Sequence, residues 1–127
     1  MFKQFAKYSV GHKMLKCNDI SIKVLVADSE TTRTKGLSGV YQIAQNEGML
    51  FDFKDGEQER CFHMKGCRFD IEAIAVSSGG VIVGIQQMKH TEPNVLHRIP
   101  HCAKVLEVQS GFCQKMGIAI GDIIQVG

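Results

Sequence analysis

The chain has 127 residues, with 15 Lys and Arg against 13 Asp and Glu, a formal net charge of +2 and 44% apolar residues. That length fits one domain, residues 1–127, whose core needs no disulfide or metal staple. The charge gives no basic stripe of the kind a nucleic-acid binder carries: Lys3, Lys7, Lys13 and Lys16 form the densest basic stretch and are spaced as a solvated edge.

No apolar run has the length of a membrane span. Lys3, Gln4, Lys7 and His12 break any signal-peptide core near the N-terminus. A cytoplasmic protein is therefore expected, without nucleic-acid or membrane partners and as a monomer. Five cysteines (17, 61, 67, 102 and 113) are an odd number, which reads as reduced thiols rather than a disulfide framework, with Cys61 and Cys67 the closest pair in sequence.

In chain order, residues 1–12 have weak periodicity. Phe2, Phe5 and Tyr8 lie three apart, as in a turn or two of helix or a loose arm. Met14-Leu15-Lys16 and the alternating, β-branched residues 20–26 form a hairpin around Asn18-Asp19, since both turn residues tolerate a left-handed backbone. Asp28 or Ser29 caps a helix over residues 30–38 that stops near Gly36 or Gly39; three threonines weaken it, so packing must hold it. Residues 48–53 are an apolar strand of the kind buried on both faces.

Residues 60–65 alternate as a strand, with Phe62 and Met64 on one side and Cys61, His63 and Lys65 on the other. Gly66 permits a sharp change of direction. Residues 71–76 and 81–87 form a hairpin across Gly79-Gly80. Residues 89–101 read as a long loop broken by Pro93 and Pro100. A strand over 104–108, a short helix over 111–116 capped by Ser110, and a strand over 123–126 complete the chain. The fold class is mainly β (α+β): a small closed or barrel-like, largely antiparallel sheet with two short helices. Closure would pair the apolar last strand.

Three groups of residues resemble the family catalogued as domain of unknown function 192. They are Ala27-Asp28-Ser29 with Gly36-Leu37 and Glu47-Gly48-Met49-Leu50-Phe51; Phe62-His63-Met64-Lys65, where the family usually reads Phe-Trp-Met-Lys-Asn-Thr; and Val105-Leu106-Glu107-Val108 with Gly111, Gly117-Ile118 and Gly121-Asp122. The resemblance implies a small β-rich barrel with short helices and carries no activity with it. His63 stands for the usual Trp, Gly66 for Asn, Cys67 for Thr, and Asp70-Ile71-Glu72 for Pro-Leu-Asp. Thr32 replaces a common acid, which would remove the capping box.

The candidate binding residues are Cys61, His63, Lys65, Cys67, Glu72 and Glu107. Lys65 with Glu72 or Glu107 would form a charged group at a pocket mouth. Glu72 alternates in phase with Ile74 and Val76, so it faces the core and needs a partner, for which Lys65 is the nearest cation. Cys61 and His63 share a strand face and offer a hydrolase pair. Cys61, His63 and Cys67 with His97, His101 and Cys102 offer a metal cluster, although no Cys-x-x-Cys spacing occurs. Phosphate-loop, Rossmann and Gly-x-Ser-x-Gly motifs are absent, and no cofactor is implied. The leading reading is a non-catalytic module that binds a small molecule or a protein; the alternative is the hydrolase.

Overall fold

Strands arise where the apolar–polar alternation places them. In chain order the elements of this computed structural model are β1 Gly11–Cys17, β2 Ile20–Ala27, α1 Glu30–Lys35, β3 Glu47–Asp52, β4 Gln58–Phe62, β5 Ile71–Val76, β6 Ile82–Met88, β7 His97–Cys102, β8 Lys104–Gln109, α2 Phe112–Met116 and β9 Gln125–Val126. The structure describes residue 1, residue 5 and residues 10–126. The helical turn or arm expected around Phe2, Phe5 and Tyr8 lies outside the described residues except for Phe5, which is buried.

Seven strands form one sheet in the order β6-β5-β8-β3-β2-β1-β9, and β4 pairs with β7 in a small second sheet. All pairings are antiparallel except β2 with β3, which are parallel and connected through α1. Asn18 and Asp19 turn the β1–β2 hairpin with φ of 49° and 67°, the left-handed pair that a two-residue loop needs.

The sheet curls into a half-barrel rather than the fully closed form. Its ends meet through one isolated bridge, Val81 to Ile123, supported by Ile82 N–H to the Asp122 carbonyl and Ile124 N–H to the Gly80 carbonyl (2.9 and 2.8 Å).

Both faces of the sheet are buried, so its central strands are apolar throughout. Alternation sorts the side chains into two clusters. Leu25, Met49, Phe51, Ala73 and Val105 belong to the first, which Leu37, Val40, Ile43, Met64 and Ile99 cover. Val24, Leu50, Ile74, Val76, Leu106 and Val108 belong to the second, which Phe112, Cys113, Ile118 and Ile124 cover.

The strand expected over 60–65 ends at Phe62, ahead of a turn, and three further local details differ from the sequence expectation. The capping box of α1 is present: Ser29 N–H donates to Thr32 Oγ1 and Thr32 N–H to Ser29 Oγ, both at 3.2 Å, so a hydroxyl does the work of the usual acid. Residues 97–102, expected as loop, form β7. Its Pro100 falls at an irregularity of the β4–β7 ladder, where no backbone donor is required.

The N-terminus of α2 is capped from a distant strand. Ser110 Oγ donates to Gln87 instead, while the Glu72 carboxylate accepts from the Gly111 and Cys113 amides at 3.1 and 2.9 Å and from Gln87 Nε2. Glu72 is therefore buried, as its phase with Ile74 and Val76 requires, but its partners are amides and not Lys65, which is exposed. Replacing Glu72 by Ala strands these donors in the second cluster. Glu72→Ala is expected to lower stability in urea unfolding by about 2–4 kcal/mol, and Glu72→Gln by less, because the amide oxygen still accepts.

Candidate ligand-binding cavity

A cavity of about 390 Å³ opens between the end of α1, the β3–β4 region and the 63–67 turn, within the roughly 300–1,000 Å³ typical of small-molecule sites. Five of the six candidate residues line it: Cys61, His63, Lys65, Cys67 and Glu107. Glu72 lies elsewhere, beneath α2 on the second cluster's side of the sheet.

One wall is aromatic. Phe51 is fixed by β3, Phe53 follows that strand, and Phe62 ends β4. Phe62 meets Phe51 edge-on at 5.1 Å and Phe53 at 6.4 Å, the favoured arrangement of ring quadrupoles. Arg60 stacks over Phe53 at 4.0 Å, and its guanidinium is held by Asp55, the Gly56 carbonyl and the Cys102 carbonyl. That network makes the wall rigid and joins the small sheet to the main one.

The rim is cationic. Arg33 donates to the Asp52 carbonyl at 3.1 Å, and Lys35 donates to the Ser38 carbonyl at 2.7 Å. Lys65 is exposed at the mouth. Among the described residues none of the three takes part in a salt bridge.

The 63–67 turn is drawn close to α1 through Gly66. Its φ of 78° suits glycine, its carbonyl accepts from Gly39 N–H at 2.9 Å, and a Cβ there would run into Ser38 Oγ. His63 Nδ1 accepts from Lys65 N–H at 3.2 Å, so the ring braces its own turn; among the described residues no hydrogen bond joins it to Cys61.

Glu107 is the unusual member. It sits in the middle of β8 between Met49 and Ala73, in phase with Val105, so its side chain enters the first cluster's face. It is only 4% exposed, and it lines the cavity. Among the described residues no group hydrogen-bonds to its carboxyl. Burial alone pushes its pKa up to about 8. Cys67 beside it is pushed up to about 11, first by burial and then by the Glu107 charge, with Lys35 opposing. It is a thiol at neutral pH, whereas a nucleophile needs a lowered pKa.

Sequence reasoning missed Arg33, Lys35, Phe51 and Phe53. Arg33 and Lys35 fall within the expected helix without a role, and Phe51 and Phe53 within a strand expected to be buried on both faces. His97 and His101 lie on β7, and among the described residues no three His, Cys, Asp or Glu side chains are grouped to hold a metal ion.

The family model for domain of unknown function 192, described as an uncharacterised ACR, matches residues 13–126. The chain belongs to that family. None of the curated proteins matches it. Two solved structures share the fold. A candidate transcription regulator from Sinorhizobium meliloti is 22% identical with a TM-score of 0.86, over 93% of this chain and 95% of that one. A protein of unknown function from Novosphingobium aromaticivorans is 18% identical with a TM-score of 0.79, over 91% of this chain and 84% of that one. No helix among the described residues of this family member is long and apolar enough to cross a membrane.

The Glu107 shift sets a pH dependence of stability. Its pKa is raised on folding, from an ordinary 4.5 to about 8, so the folded protein holds a proton that the unfolded chain has released across that interval. Stability should therefore fall as pH rises from about 5 to about 8 and level off above, by a few kcal/mol at most. Urea midpoints measured across that range check this. Glu107→Gln should flatten the slope.

Proposed function

We propose that the chain is a non-catalytic binding module that takes a small molecule with an apolar body into the cavity beside α1. One observation carries the reading: the Glu107 carboxyl is almost wholly buried, has no hydrogen-bond partner among the described residues, and lines an aromatic-walled cavity. Burying such a group costs free energy that a packed apolar residue would not. A ligand group that bonds to it offsets that cost. The rigid Phe51–Phe53–Phe62 wall supplies surface for the rest of the ligand.

The hydrolase alternative draws less support. His63 is engaged with the Lys65 amide rather than Cys61, and Cys67 holds its proton beside Glu107. At 22% identity the Sinorhizobium structure informs the fold, so no regulatory role is taken from it. The five free thiols support a reducing, cytoplasmic setting.

Amide NMR titration with three phenyl-bearing fragments, phenylacetate, benzylamine and benzyl alcohol, tests the reading. At least one should shift the amides of Lys35, Ser38, Phe53, Cys61 and Lys65 as a group. Cys61 is exposed at the mouth, so Cys61→Trp should fold normally and weaken that binding at least about tenfold by filling the entrance. Shifts scattered over the surface, or binding untouched by the Trp, would remove the cavity from consideration.

A further inference from the structure

The cavity's polar groups are unlike in kind, and together they select the ligand. The cavity that Glu107 lines is lined also by Arg33 and Lys35 from α1, Cys61 from β4, and His63, Lys65 and Cys67 from the turn that follows, with Cys67 close enough to feel the Glu107 charge. The neighbours of Glu107 on β3 and β5, Met49 and Ala73, carry no charge. Three cations thus share the cavity with a single buried acid, whose pKa burial holds at about 8. A cationic ligand would meet that positive field and find a donor where it needs an acceptor. An anion would meet the reverse.

We propose that the ligand is a small monocarboxylate on an apolar body, and that Glu107 receives it as the protonated acid, donating its O–H to the ligand carboxylate. The inference rests on the cavity being the binding site.

A hydrogen bond from a carboxylic acid to a carboxylate is charge-assisted and shorter and stronger than a neutral one. No bond to carbon forms or breaks. The proton stays on Glu107, and the anion beside it holds that proton more firmly than before. Lys35 and Arg33 keep free N–H groups after serving the Ser38 and Asp52 carbonyls, and Lys65 completes the neutralisation from the mouth. A phosphate is a poorer match. The end of α1 that meets the cavity is its C-terminus, which offers carbonyls rather than the amides of a helix N-terminus and disfavours a dianion more than a monocarboxylate.

The same three fragments decide the matter when titrated into the wild-type protein from about pH 6 to about pH 10. Phenylacetate should bind best. Its affinity should be level up to the Glu107 pKa of about 8 and fall roughly tenfold per pH unit above it. Glu107→Gln keeps a donor, so binding at neutral pH should stay within a few-fold while the fall disappears. Glu107→Met should lose at least about tenfold at neutral pH.

The wild-type profile stands by itself if either variant fails to fold. Benzylamine binding best, and more tightly as pH rises, would mean Glu107 acts as a carboxylate toward an ammonium and would overturn the proposal while keeping the cavity. Phenylacetate binding with no dependence on pH near 8 would do the same. So would a fall centred in the histidine range and abolished by His63→Gln, which would assign the proton to His63. No cavity shift with any of the three at about 20 mM would overturn both this inference and the binding reading beneath it.

Discussion

A carboxyl group on the core side of a sheet must be hydrogen-bonded or keep its proton, because ionised and alone it costs more than the fold can spare. This protein has two such acids on adjacent strands, one on each face. Glu72 on β5 is in phase with Ile74 and Val76; Glu107 on β8 is in phase with Val105. Glu72 meets two backbone amides and Gln87 and thereby anchors α2. Glu107 meets none among the described residues and lines a cavity. The first acid is part of the architecture. The second has no architectural use that the described contacts reveal, and an apolar residue of similar size would fill its place at lower cost.

The surroundings of Glu107 are built to stay open. Phe62 meets Phe51 and Phe53 edge-on, those two rings are stacked, and Arg60 lies over Phe53 with its guanidinium held by Asp55, the Gly56 carbonyl and the Cys102 carbonyl. Such a wall cannot collapse into the space without losing those contacts. On the other side the backbone bond from Gly39 to Gly66 holds the 63–67 turn against the end of α1. The cavity is therefore the gap between two fixed bodies, the main sheet with α1 and the small sheet with its following turn.

How much of this the sequence shows depends on the range of the interaction. Strands were legible because alternation and β-branching are local: residues 20–26, 71–76 and 104–108 lie within the strands observed. Five candidate residues converge on one cavity because four of them share one short stretch, and Glu107 arrives by sheet pairing. The roles hidden from the sequence are long-range. Glu72 caps a helix about forty residues away, which no local capping rule detects. Phe51 and Phe53 look like any core residues until β4 swings Phe62 against them. β7 was masked by Pro100, which reads as a breaker unless the ladder's irregularity beside it is known. Thr32 shows the opposite error, a rule applied too narrowly: the capping box needs an acceptor at the third helical position, and a hydroxyl serves.

The departures from the family's usual central motif fall in one place, and the structure gives them different meanings. Gly66 has a left-handed backbone, φ 78°, a conformation that asparagine also tolerates, but beside Ser38 there is no room for a Cβ, so Gly for the usual Asn fits this turn and removes a polar side chain. His63 for Trp, at the mouth, exchanges a large apolar ring for a smaller one that bonds the Lys65 amide. Cys67 for Thr sets a thiol beside Glu107 where a hydroxyl would offer a better hydrogen-bond donor. That last change bears most directly on the acid. A threonine hydroxyl next to Glu107 could satisfy the carboxyl internally, whereas Cys67 leaves it to find its partner in the cavity. Glu107 itself lies in the Val105-Leu106-Glu107-Val108 stretch that fits the family pattern. The acid thus belongs to a stretch that fits the family pattern, while the thiol beside it departs from that pattern.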